Sequence, residues 1–127
     1  MIDEIIIDHD IITIKTIGGK IKLNVSDRTV MDKIMDLSNT FFEKCSDTTF
    51  YTEFEKKIQD IFGKDSIKTI FGLEHPDDVC IGYFIINLIG KLKEHKAEKT
   101  NQLIAEIEKK YGNEYFEDKS SIGSTSK

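Results

Sequence analysis

Cysteine is scarce in this chain, with two in 127 residues. Cys45 and Cys80 lie far apart and in no C-x-x-C pair, so they read as buried free thiols in a reducing cytosol. At this length no covalent staple is needed, because one domain buries most of the surface it would expose unfolded. Positive charge is also short. Lys and Arg number 18 against 23 Asp and Glu, a net charge of −5. This argues against a protein built to hold nucleic acid, since phosphate binding needs a basic face.

Long hydrophobic runs are missing as well. The longest, from Val79 to Leu92, is interrupted by Gly82, Asn87 and Gly90. A span of about 20 apolar residues is needed to cross a bilayer as a helix, so no membrane segment is expected. Met1-Ile2-Asp3-Glu4 is acidic where a secretion signal begins basic, so a soluble, cytoplasmic chain is expected.

Motifs of catalysis are absent too. There is no G-x-S-x-G and no H-E-x-x-H. Gly63-Lys64 invites comparison with a phosphate loop, G-x-x-x-x-G-K-[ST]. Here Ile58 holds the first glycine position and Asp65 follows the lysine, where an acid repels phosphate. Asp8-His9-Asp10 reads as a turn whose aspartates bond their own backbone, and Asp77-Asp78 as partners of a helix dipole. Lys91, Lys93, Lys96 and Lys99 interleave with Glu94 and Glu98 as a solvated helix face. No enzyme, cofactor or metal is expected.

What is present is pattern. Residues 11–17 and 20–25 alternate apolar with polar around Gly18-Gly19, which predicts a β-hairpin over 11–25 with a type I′ turn. Ile21, Leu23 and Val25 share one face of it. Glu4 to Ile7 reads as a third strand.

Ser26-Asp27 offers a cap to a helix over about 27–45, with Val30, Ile34, Leu37 and Phe41 at helical spacing. Met31, Met35, Phe42 and Cys45 widen its stripe. Phe50, Phe54, Ile58, Ile61 and Phe62 mark a second helix over 49–62. A short third fits 65–71, capped by Asp65 and stopped by Gly72.

Pro76 at a first helical position, with Asp77 and Asp78 after it, opens a fourth helix over 76–111. Its Val79–Leu92 part is apolar nearly all round, as in a core element or an interface. The tail, 113–127, reads as flexible. The expected fold is α+β, mainly α: one domain over 1–112, with the hairpin packed on a bundle of about four helices.

Within this pattern, Gln59-Asp60-Ile61-Phe62-Gly63 and Ile70-Phe71-Gly72 place two Phe-Gly steps before the hydrophobic helix from Pro76 to Lys93. With the hairpin and the capped helix ahead of it, this resembles the tail assembly chaperones of long-tailed bacteriophages and of tail-like bacteriocins. The resemblance covers roughly residues 11–95. Where such proteins often carry Glu-Gly after the first Phe-Gly, this chain has Lys64-Asp65.

The resemblance implies a non-catalytic chaperone that keeps the tape measure protein soluble and helps tail tube protein subunits assemble around it. It makes Ile61, Phe62, Gly63, Ile70, Phe71 and Gly72 structural motif residues, and both phenylalanine rings are expected in the core. Apolar residues of the fourth helix, Val79, Tyr83, Ile86 and Leu92, are the candidate partner-binding set. The competing reading is a small helical adaptor that acts by self-association, as a homo-oligomer.

Overall fold

The computed structural model describes residues 2–112, so the expected flexible tail over 113–127 lies outside the described residues. The fold is α+β and mainly α. Strands β1 (Ile11–Thr16) and β2 (Gly19–Asn24) are followed by helices α1 (Arg28–Lys44), α2 (Phe50–Phe62), α3 (Ser66–Phe71) and α4 (Asp78–Tyr111). The chain divides into two compact units, Met1–Ile86 and Asn87–Lys127, with the boundary inside α4.

The hairpin is antiparallel, with Ile12 opposite Leu23 and Ile14 opposite Ile21. Alternation puts these four on one face. Ile21 and Leu23 are buried, while Ile12 and Ile14 on β1 are half-buried. The turn differs from expectation. Its two loop residues are Ile17 and Gly18, and neither has a positive φ, so it is not type I′.

Gly18 is needed for a different reason. Its N–H donates to the Thr69 carbonyl of α3 at 3.0 Å. A Cβ on Gly18 would lie 2.3 Å from the Lys68 carbonyl oxygen. The Thr16 hydroxyl donates to the same Thr69 carbonyl at 2.6 Å. The hairpin is therefore clasped onto the end of α3, which supplies the support that a lone hairpin lacks.

The expected third strand over 4–7 does not form. Val25 N–H donates to the Asp10 carbonyl, and Asp10 N–H donates to Ser26 Oγ. The chain at 9–10 thus runs on beside 24–26 instead of turning back at Asp8-His9-Asp10. Ile2, Ile5, Ile6 and Ile7 are left exposed.

Asp27 caps α1, accepting from Thr29 N–H at 2.9 Å. The buried side of α1 is Ile34, Leu37, Ser38 and Thr40, whereas Met35 and Phe42 face outward. Three ion pairs tie α1 to α2 along their edges: Lys33–Asp60, Lys44–Glu53 and Lys57–Asp36. Exposed pairs of this kind contribute about 0–1 kcal/mol each, so packing holds the two helices together. Phe50, Phe54 and Ile58 from α2 form the centre of the core with Ile34 and Leu37.

Helix α3 ends as expected, with Gly72 left-handed at φ 66°. Its start differs, because Asp65 makes no side-chain cap and Ser66 Oγ donates to the Gly63 carbonyl instead. The start of α4 also differs. Pro76 precedes the helix and is buried, while Asp77 caps it by accepting from Cys80 N–H at 2.9 Å. Neither thiol is buried, Cys45 being half-buried and Cys80 exposed, because both sit at helix ends. Among the described residues no helix is long and apolar enough to cross a membrane.

Candidate functional site

The site is built on the first turns of α4. Its carboxyl cap, Asp77, is held below the usual aspartate range by the hydrogen bonding it has with Cys80. The Cys80 thiol is pushed up by the same neighbour. A cap charged under ordinary conditions fixes where the helix starts, and that start decides which side chains face out.

From there, helical geometry sorts the apolar residues into two stripes. Ile81, Ile85, Leu88 and Leu92 follow each other at spacings of four, three and four, and all are buried. Val79, Tyr83 and Ile86 keep the same rhythm two residues earlier and are 63%, 66% and 59% exposed. Ile81 and Leu92 are eleven residues apart, close to three turns at about 3.6 residues each, so they share a face.

Leu92 therefore does not belong with the candidate partner-binding residues. The arithmetic of the helix was available from the sequence, but the all-round apolar character of 79–92 hid which face was which.

The outer stripe meets Phe41 of α1. Phe41, Asp78, Val79, Gly82, Tyr83 and Ile86 line an open groove of about 440 Å³. Gly82 is what allows the approach, since a Cβ there would lie 2.9 Å from Phe41 Cζ. Phe42 stands beside it, 64% exposed, its ring edge-on to Phe41 with centroids 5.8 Å apart.

The sequence pattern places Phe41 and Phe42 on a core stripe, whereas Phe41 lines the groove and Phe42 is exposed beside it. The available signal was Gly82. A glycine inside a helix costs about 1 kcal/mol relative to alanine, so it calls for a packing reason.

The groove is mostly apolar, with the Asp78 carboxyl and the Tyr83 hydroxyl as its polar side-chain groups. It offers no pair of titratable groups aimed at one point. Among the described residues no group of three or more His, Cys, Asp or Glu is placed to hold a metal ion.

The six motif residues have a structural part. Gly63 and Gly72 both carry positive φ, 111° and 66°, which side chains with a Cβ rarely adopt. Ile70 is buried and Ile61 half-buried. Phe62 and Phe71 were expected in the core and are only half-buried. Their rings converge edge-on upon Phe84, with centroids 6.2 and 5.4 Å away, and Phe71 also meets Phe54. They bridge α2, α3 and the start of α4 just outside the centre. At this margin a ring can anchor an element without full burial.

Gly63-Lys64 follows a helix rather than a strand. A depression of about 250 Å³ lies beside it, lined by Lys20, Lys22 and Lys64 but also by Asp65. Compared with known proteins, the chain matches no protein-family model, no curated protein and no solved structure.

Proposed function

We propose that this chain is a non-catalytic chaperone that binds a hydrophobic helical client along the outer stripe of α4. In this reading it is a tail assembly chaperone of the kind its sequence resembles. It works in the host bacterial cytoplasm, holding the tape measure protein soluble and assisting assembly of tail tube protein subunits around it. No cofactor, nucleic acid or membrane takes part.

One observation carries the reading: Val79, Tyr83 and Ile86 stand exposed in a row against Phe41, forming an apolar groove. A single exposed apolar side chain calls for no explanation, but an aligned row with a groove does. A helical client would lay its own apolar stripe there, while the net charge of −5 keeps the pair dispersed.

The test is co-expression of the tape measure protein with this chain and with a Val79→Asp, Tyr83→Asp variant. The parent should keep the client in the soluble fraction and co-purify with it, and the variant should do neither. A client that aggregates equally with and without the parent chain would sink the proposal. An oligomer of this chain that the Val79→Asp, Tyr83→Asp variant breaks, formed with no hydrophobic client, would favour the self-associating adaptor.

A further inference from the structure

The N-terminal arm and the hairpin have complementary unfinished surfaces. The arm, residues 2–9, leaves Ile2, Ile5, Ile6 and Ile7 between 74% and 93% exposed. Among the described residues the sheet has two strands, so β1 has a free edge. The Val25 N–H to Asp10 carbonyl bond sets the phase of the ladder. Ile11, Thr13 and Lys15 then fall at non-hydrogen-bonded pairs, with N–H and C=O groups pointing away from β2. Such an edge is a template for another strand.

Both faces of that edge fit the arm. The inner face of β1 carries Ile12 and Ile14, half-buried, although their partners Leu23 and Ile21 are 2% and 5% exposed. The outer face carries Ile11, Thr13 and Lys15 across from Asn24, Lys22 and Lys20. Lys15 is directly opposite Lys20, a like-charge pair that destabilises a sheet, and this face holds no carboxylate.

In an extended arm, Glu4, Ile6 and Asp8 share one face and Ile5 and Ile7 the other. Laid antiparallel beside β1 with Ile6 opposite Thr13, Glu4 would face Lys15, Asp8 would flank Ile11 on the same face, and Ile5 and Ile7 would pair with Ile14 and Ile12 on the apolar face.

The arm cannot reach its own β1 while 9–10 are tied to 24–26. His9 Nδ1 is 3.0 Å from Asn24 Nδ2, and Asp10 bonds both Val25 and Ser26. These bonds send the arm on past the open end of the hairpin. We propose that residues 4–8 of one copy add as a third strand to the free edge of β1 in a second copy, and that two copies exchange arms reciprocally. This does not depend on what the groove of α4 binds.

The test uses the full chain in a dilution series, with mass read by sedimentation. The arm variant is Glu4→Lys with Asp8→Lys. The edge variant is Lys15→Glu with Lys20→Glu and Lys22→Glu. All five side chains are exposed, so circular dichroism should be unchanged. A further variant, Ile5→Ser with Ile7→Ser, removes apolar contact without changing charge.

The parent should sediment as a dimer and each variant as a monomer. Mixing the arm and edge variants should restore the dimer, because a reversed arm then meets a reversed edge. Amide hydrogens of Ile11, Thr13 and Lys15 should be protected in the dimer and exchange freely in the variants. A monomeric parent, variants that keep the dimer mass, or a mixture that stays monomeric would each overturn the proposal. So would protection of those amides in a monomer, which would place the arm on its own β1.

Discussion

Gly82 of α4 and Phe41 of α1 touch backbone to ring, and a Cβ on Gly82 would lie 2.9 Å from Phe41 Cζ. That contact sets the depth of the groove. The tip of a half-buried ring can move, so the position tolerates alanine only if Phe41 swings outward.

Gly82→Ala should therefore separate stability from binding. Alanine gains about 1 kcal/mol in helix propensity. Displacing the ring costs about 1–3 kcal/mol, at the low end because the ring is half-exposed. The net change should be small, within about 1 kcal/mol by urea unfolding. The displaced ring would fill the groove, so client capture should fall while the helical circular dichroism stays the same.

Single substitutions on the outer stripe should leave the fold intact. Val79→Asp, Tyr83→Asp and Ile86→Ser each alter a side chain more than half exposed. Surface changes of this kind shift stability by about 0.5 kcal/mol or less. Client affinity, read by titration calorimetry or co-purification, should drop about tenfold or more for Tyr83, since buried aromatic anchors dominate helix-binding interfaces.

Truncations in the interior should follow burial and not the motif. Phe54 is fully buried, so Phe54→Ala should cost about 3–5 kcal/mol. Leu92→Ala, 5% exposed, should cost about 2–5 kcal/mol, as expected of a core leucine. Phe62→Ala and Phe71→Ala remove half-buried rings and should cost about half as much as Phe54→Ala. Equal losses at all three phenylalanines, by urea unfolding, would contradict this order.

Acid should loosen the start of α4. Hydrogen bonding to Cys80 lowers the folded pKa of Asp77, and hydrogen bonds from Thr49 do the same for Asp47. A lowered folded value means the stabilisation is complete above the unfolded value, about 3.9, and is lost as pH falls through the folded one. The protection of the Val79–Ile81 amides, measured against the unstructured rate at the same pH, should fall below about pH 4. Asp77→Asn, which can still cap a helix, should remove that acid dependence while leaving the neutral-pH helix in place.

The elements were legible because their signals are local. Asp27 announces α1, the left-handed Gly72 ends α3, and alternation over 11–25 marks the hairpin. The errors lie where a residue's role depends on a distant neighbour. Gly18 looked like half of a type I′ turn, but it is glycine because the carbonyls of Lys68 and Thr69 crowd it. The arm at 4–7 has strand-like composition, yet the bonds of Asp10 to residues 25 and 26 lead it away from β1.

The candidate site divides the same way. By itself the sequence determined that α4 is a helix with more apolar surface than one face can bury, because that follows from periodicity along a single segment. Which of those residues remain outside was decided by tertiary packing. Ile81, Ile85, Leu88 and Leu92 take the buried face and leave Val79, Tyr83 and Ile86 exposed. Tertiary structure also brought Phe41, about 40 residues away, against Gly82 to make a groove from two helices. Hydrophobicity is a property of a side chain, whereas exposure and concavity arise only when separate segments meet.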